Sequence, residues 1–407
     1  MPIDRLDSVF AAEVAAMKEA GTGKGSEPVI IGVDPARGEL GPRFRLAGLE
    51  RPYLRMNSNS YLGLSRHPAV IAADESATRE FGAGPGAVRF ISGTYQAHLD
   101  LEERLARLHD RRSAMIFSSA YATVVSCLTS LITPETVVLS DELNHNCIIN
   151  ALRLSRPASR DVYPHLDFNV LDAMLREAAG TGRRAVVVTD GVFSMRGDFA
   201  DLKALMELAR AHDEDFPENV VLVVDDSHGV GAFGPTGRGT EEITESGSVD
   251  VLIGTLGKAF GVNGGYVTGS ESLVAFLREK APMYIYSNPI TVGEAAAGTA
   301  ALSIVDSDEG LSLLGHLAAM TEKFEAGLID LGFETIPGPH PIVPLMVRDT
   351  ERTSALVAQL FHNDVLATGL NYPVVPKGDE EIRFQVNADH TEADIDSVLE
   401  VLAAFDG

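Results

Sequence analysis

The sequence predicts an α/β protein with a mostly parallel central sheet, an N-terminal arm and a smaller C-terminal α+β lobe. Three observations lead there. Between about residues 65 and 290, short apolar runs rich in Val, Ile, Leu and Phe alternate with helical patterns; the runs lack polar alternation; and each ends in polar residues. A strand covered on both faces by helices has no solvated side, so it reads as an unbroken apolar run, and a chain that alternates such runs with helices builds a parallel sheet.

In chain order, residues 4–20 place Leu6, Val9, Phe10, Val14 and Met17 close to one helical face, interrupted by Glu13, and a glycine-rich break follows at 21–25. The short runs 29–31, 44–46 and 53–55, separated by Gly and Pro, predict a small antiparallel meander. The apolar runs 114–117, 136–139, 185–188, 220–224 and 251–253 are the expected core strands. After about residue 300 the pattern becomes a helix, then strands over 342–347 and 382–386, then a last helix. That helix opens at Thr391 with Asp394 three residues on, the spacing of a capping box, and carries Ile395, Val398, Leu399 and Leu402 on one face. The expected units are therefore 1–64, 65–295 and 296–407.

The composition bounds the function. A chain of 407 residues with 45% hydrophobic and 22% charged residues can bury a large core, and a net charge of −25 argues against binding nucleic acid or an anionic membrane, which need a basic footprint. Cys127 and Cys147 sit in apolar surroundings without metal or redox spacing, so both read as core residues of a reducing compartment. The start of the sequence lacks the pattern of a secretory signal and no apolar segment is long enough to span a bilayer, so a cytoplasmic location is expected.

In open α/β sheets ligands collect beyond the carboxyl ends of the strands, and the polar residues are there: Ser118-Ser119, Ser140-Asp141, Thr189-Asp190, Asp225-Asp226 and Gly254-Thr255. Lys258 follows the last of these among glycines. An ammonium is costly to desolvate, and a Schiff base with an aldehyde cofactor gives such a nitrogen a reason to be near a buried strand; alone, an exposed loop lysine is the simpler reading. Asp225 ends an earlier run. A carboxylate against a pyridine nitrogen keeps that ring protonated as an electron sink, with His228 in reach of a ring hydroxyl; the alternatives are a metal site of Asp225, Asp226 and His228, or plain strand-end polarity. His145 could stack on a flat cofactor or be a satisfied core histidine. The turn at Ser118-Ser119-Ala120-Tyr121, between a strand and a helix, suits a phosphate, as do many turns that bind nothing.

Taken together, residues 59–64, Gly82-Ala83-Gly84, Ser92-Gly93-Thr94, His98, Leu101-Glu102, the His145 block, 189–195, 225–229 and 255–258 resemble, in order, the α-oxoamine synthases, pyridoxal 5′-phosphate enzymes of fold type I. The likeness runs from about residue 55 to the C-terminus. Within that family, 88–91, 189–195, Ser287-Asn288, 372–378, Ile382-Arg383 and His390-Thr391 most resemble the 2-amino-3-ketobutyrate CoA ligase branch (glycine C-acetyltransferases), more than the 8-amino-7-oxononanoate, 5-aminolevulinate or serine palmitoyltransferase branches.

The resemblance implies that Lys258 holds the cofactor and moves the substrate α-proton, that Asp225 pairs with the pyridine nitrogen, that His228 and Ser194 face the phenolic oxygen and that His145 stacks on the ring. Ala120, Tyr121 and Thr255 would meet the phosphate, with Ser287 reaching it from a second subunit. Arg383 would take the substrate carboxylate, helped by Asn59 from the partner chain, which implies a homodimer. The implied substrates are an amino acid and an acyl thioester, on CoA or a carrier protein, with glycine and acetyl-CoA the favoured pair. A different amino acid, a longer or carrier-bound acyl group, or an aminotransferase activity are the alternatives. The sequence departs from the family where Ala122-Thr123-Val124 lacks an Asn, where Arg196 replaces an Asp, in the acidic insertion 214–218 and in a longer N-terminal region; these bear on the substrates, not on the cofactor chemistry. Ser194 has no Gly-x-Ser-x-Gly setting, so serine hydrolysis finds no support.

Overall fold

The computed structural model describes residues 3–19, 23, 27–372 and 375–405. Met1-Pro2, most of the 21–25 break and Pro373-Val374 lie outside the described residues.

Three short strands open the chain after the first helix: β1 (Ile30–Asp34), β2 (Arg43–Leu46) and β3 (Pro52–Arg55), the antiparallel meander that the short runs separated by Gly and Pro predict. Seven strands follow: β4 (Ser113–Phe117), β5 (Thr136–Asp141), β6 (Ser159–Tyr163), β7 (Arg184–Asp190), β8 (Val220–Asp225), β9 (Val251–Thr255) and β10 (Gly265–Gly269). They form one sheet in the order β4-β10-β9-β8-β7-β5-β6, in which β5 to β9 run parallel and β10 is antiparallel to both its neighbours. The five expected core runs are β4, β5, β7, β8 and β9. The two strands absent from that expectation have poor apolar signals: β6 is Ser-Arg-Asp-Val-Tyr on an edge with four exposed residues, and β10 is a short Tyr-Val-Thr between glycines.

Alternate residues along β7 enter different cores. Val186 and Val188 pack with Met115, Phe117 and Ile253 on one face, and Ala185 and Val187 with Leu139, Leu222 and Val224 on the other. Both faces are therefore buried, which is the physical reason the runs lack polar alternation; each large aliphatic side chain so covered contributes about 1.5–3 kcal/mol.

The C-terminal lobe carries β11 (Glu334–Thr335), β12 (Ile342–Met346), β13 (Val365–Leu366), β14 (Thr368–Leu370) and β15 (Glu381–Gln385). Four of these make a sheet in the order β11-β12-β15-β14, while β13 leaves it and pairs in parallel with β3. Asp394 adds a second tie to the N-terminal segment, accepting from the Gly41 N–H at 3.0 Å and pairing with Arg43 at 2.5 Å. The N-terminal segment and the C-terminal lobe are thus held together, although the tied positions are as much as 353 residues apart in sequence. The last helix, Glu392–Ala403, has the expected Thr391–Asp394 capping box, with Ile395, Val398 and Leu402 buried. The first helix, Asp4–Glu19, forms as its periodicity predicts, but buries no residue in this chain. No helix of the described residues is long and apolar enough to cross a membrane.

Candidate active site

Parallel β5, β7, β8 and β9 end on the same side of the sheet, and the loops leaving them enclose a cavity of about 210 Å³. Eight of the expected site residues line it: Ala120, Tyr121, His145, Ser194, Asp225, His228, Thr255 and Lys258. They come from five separate stretches of chain, brought together because successive parallel strands place their carboxyl ends in register.

Lys258 leaves the turn after β9. Burial pushes its amine down to about 8, against the opposing pull of the Asp225 carboxylate. Asp225, the last residue of β8, is fixed by Ser227, whose N–H (3.1 Å) and hydroxyl (2.6 Å) both donate to Oδ1. Among the described residues its other oxygen, Oδ2, receives only the weak Cys147 thiol donor at 3.6 Å, so the acceptor capacity of a carboxylate is held open toward the cavity. The adjacent Asp226 points the opposite way, taking the Thr240 N–H and hydroxyl at 2.8 and 2.6 Å. A methyl group at Gly191, Gly229 or Gly239 would collide with its carboxylate, so three glycines let the backbone close around it. Asp226 is spent in the scaffold and does not join Asp225 and His228 in a ligand set. Among the described residues no group of three His, Cys, Asp or Glu side chains is disposed to hold a metal ion.

The helix Ala120–Leu131 begins at the cavity. Its N-cap Ser119 satisfies the Ala122 N–H at 3.1 Å, which leaves the N–H groups of Ala120 and Tyr121 without a partner among the described residues. Gly265 lies so close that a Cβ there would meet the Ala120 backbone, and the missing side chain brings β10 up against this helix end. Thr255 completes this side of the cavity, its Oγ1 accepting from the Gly257 N–H at 3.1 Å.

His145 caps the helix Asn146–Leu154, its Nδ1 accepting from the Cys147 N–H at 3.2 Å, and its own N–H donates to Asp190 Oδ2 at 3.1 Å. His228 Nδ1 is paired with the Tyr61 hydroxyl at 2.8 Å, and burial together with the Lys258 and Arg383 charges holds the His228 ring far below the usual histidine range, hence neutral. Ser194 sits in the loop after β7, a loop pinned by His165 between Asp141 (3.0 Å) and Asp198 (3.2 Å).

Arg383 and Asn59 lie beside the cavity rather than in its wall, connected to it through Tyr61. The Tyr61 hydroxyl meets Asn59 Oδ1 at 3.4 Å, and Arg383 Nη2 donates to the same oxygen at 3.2 Å. This corrects the expectation that Asn59 comes from a partner chain: β15 and the 56–61 segment are joined by the Gln385 N–H to Met56 carbonyl bond, which puts both residues in one protomer. Ser287 does not reach the cavity of its own chain, and its hydroxyl donates to the Asn288 carbonyl at 3.4 Å.

Three residues at the site carry no role in the sequence analysis. Cys147 reads as a core cysteine, yet its thiol stands 2.9 Å from His145 Nδ1 and beside Asp225; its place two residues after a strand-end histidine was the available signal. Asp190 is buried with Oδ1 unpartnered, and desolvation together with the Asp225 charge raises it well above the carboxylate range. Tyr61 links His228 to the Asn59–Arg383 pair.

The wall thus offers, around one space, an amine depressed toward neutrality, a carboxylate with a free face and unfilled N–H groups at a helix start. These match an aldehyde, a pyridine nitrogen and a phosphate, so the residues fit pyridoxal 5′-phosphate. The family model for aminotransferase class I and II matches residues 51–402. The mitochondrial 2-amino-3-ketobutyrate coenzyme A ligase of Mus musculus is 38% identical over 97% of this chain and 92% of its own length. The 8-amino-7-oxononanoate synthase of Marinobacter nauticus is 39% identical over 97% of this chain and 95% of its own. The serine palmitoyltransferase structure from Sphingomonas wittichii superimposes with a TM-score of 0.87 at 24% identity, covering 99% of this chain and 97% of that one, a likeness of fold. The chain belongs to the aminotransferase class I and II family and, within it, to the pyridoxal 5′-phosphate-dependent acyltransferases of the α-oxoamine synthase group.

Proposed function

We propose that the chain joins an amino acid to an acyl thioester to give an α-amino ketone, with glycine and acetyl-CoA as the favoured pair. The observation that carries this reading is Lys258, a depressed amine facing Asp225 across one cavity, with Arg383 beside it. When bound, the cofactor supplies an electron sink for charge developing at the amino acid α-carbon.

The chain's own groups do the rest. Lys258 Nζ would hold the cofactor aldehyde and then, as a free amine with a pKa near 8, take the α-proton. Asp225 would keep a proton on the ring nitrogen, and the Ala120 and Tyr121 N–H groups with the Thr255 hydroxyl would anchor the phosphate. His145 would cover one face of the ring, with Ser194 and neutral His228 toward its oxygen. Arg383, oriented by Asn59, would take the substrate carboxylate and fix which bond at the α-carbon faces Lys258. Asp225, His228 and Thr255 are each buried, which would limit the access of water to the substrate α-carbon.

A homodimer is part of the reading, with Ser287 of one subunit reaching the phosphate of the other. Support comes from apolar surface left uncovered in the single chain: Val9, Phe10 and Val14 of the first helix are about half exposed, and Phe90 and Ile91 are each 68% exposed. The two cysteines are free thiols, in keeping with a reducing, cytoplasmic compartment.

The test is a thiol-release assay crossing several amino acids with several acyl-CoA and carrier-bound thioesters. Thiol release with glycine and acetyl-CoA as the best pair is expected. Transfer of amino groups to 2-oxo acids without thiol release from any pair would replace this reading with an aminotransferase.

A further inference from the structure

Ser194 also walls a second cavity, of about 270 Å³, which lies between the loop after β7 and the C-terminal sheet. Its apolar lining includes Met195 and Met346, and its charged lining is lopsided: Glu142, Asp379 and Glu381 against Arg196 alone. Glu381 stands apart from the other two acids. It is 2% exposed, it begins β15 opposite Met346, and its Oε1 is buried with no hydrogen-bond partner among the described residues. A buried carboxyl without a partner is costly, and strand ends do not need one for folding. Its strand position gives it meaning, since residues two apart on a strand share a face and Glu381 stands two residues before Arg383. One face of β15 therefore carries a cation next to the cofactor cavity and, about 7 Å farther along, an unsatisfied acid at the wall of the adjoining chamber.

We propose that this chamber is a specificity pocket for a substrate arm that ends in a hydrogen-bond donor, a hydroxyl or an ammonium, which the Glu381 carboxyl receives, and that it rejects arms ending in a carboxylate. The proposal rests on the condensation reading above and extends it beyond glycine and acetyl-CoA, neither of which carries such an arm, to the class of longer substrate that the same site takes. Desolvation holds the Glu381 carboxyl up at about 7, so near neutrality it is poised to accept from such a group, whereas a substrate carboxylate would meet Glu142 and Glu381, with Asp379 already paired to Arg348 at 2.6 Å and the one lining arginine, Arg196, already paired to Asp198 at 2.8 Å. The arm belongs either to the acyl chain or to the amino-acid side chain; the chemistry at Glu381 is the same.

The experiment uses the holoenzyme and two substrate series. In one, glycine is paired with acyl-CoA thioesters of matched length ending in methyl, hydroxyl or carboxylate. In the other, acetyl-CoA is paired with 2-aminobutyrate, homoserine or aspartate. In one of the two series the hydroxyl-ended member is expected to give the highest kcat/KM for thiol release and the carboxylate-ended member the lowest. Glu381→Leu is expected to cut that preference on the order of tenfold while leaving glycine with acetyl-CoA within about twofold. Glu381→Gln, which keeps the shape, serves if the leucine variant loses its visible cofactor absorbance, and is expected to relax discrimination against the carboxylate end. Equal rates across endings in the wild type, or equal losses for every pair in the variants, would overturn the pocket while leaving the condensation intact. No thiol release from any wild-type pair would instead remove the reading beneath it.

Discussion

Asp225 and Asp226 are neighbours at the end of one strand, and the regions around them could hardly differ more. Above β8, Asp225 is steadied by Ser227 on one oxygen and keeps the other toward an open cavity. Below it, Asp226 is closed in by three glycines and bound through both oxygens to Thr240, its carboxyl pushed up to about 7 by burial. The upper region is built to leave capacity unused; the lower one is built to leave none. A strand that alternates its side chains sends successive residues to opposite sides, so one step in sequence separates a group poised for chemistry from one that fixes the loop carrying it.

Exchanging the two acids' roles by mutation tests this contrast. Asp225→Asn is expected to lower turnover about a hundredfold or more, with the melting temperature of the cofactor-free protein nearly unchanged. Asp226→Ala is expected to do the reverse, destabilising the protein by about 2–3 kcal/mol in denaturant unfolding because the Thr240 N–H and hydroxyl lose their acceptor in a closed space. Similar stability losses for both variants would erase the distinction.

A smaller effect is expected from the loop on the far side of the cavity. Burial alone would lower the His165 ring, but the hydrogen bonds to Asp141 and Asp198 win and push it up to about 9. A folded value above the unfolded one means the histidine contributes stability in full below about pH 6.5 and loses it as the pH rises through about 9, with about 1–2 kcal/mol at stake after solvent screening. His165→Gln should flatten the stability profile over that window. A wild-type profile already flat between pH 6.5 and 9 would show that the loop holding Ser194 is not secured by this charge.

The same contrast between exposed pattern and hidden pairing governs what the sequence reveals. The parallel sheet was legible because Val186 and Val187 face different cores, and two-sided burial writes itself as an unbroken apolar run. Lys258, Asp225 and His228 were legible because strand ends are where such folds gather chemistry, and the family resemblance ordered them. The polar edge strand β6 and the glycine-bounded β10 carried no apolar run, since an edge needs little and a neighbour's backbone fills the rest. The partnership of Asn59 with Arg383 inside one chain, and of Cys147 with Asp225, depends on strand register and helix placement over long separations, which no local pattern encodes. Glu381 was invisible for another reason: a lone acid beside Asp379 and Glu380 looks like a solvated turn until the strand buries it.

The central claim, that the Lys258–Asp225 cavity is where the cofactor is held, is tested most directly by borohydride reduction of the holoenzyme followed by peptide mapping. The account predicts a pyridoxyl group on the peptide containing Lys258, abolished in Lys258→Ala together with the yellow colour of the protein. A stable pyridoxyl group on another lysine, or none on a holoenzyme that still releases thiol, would contradict it.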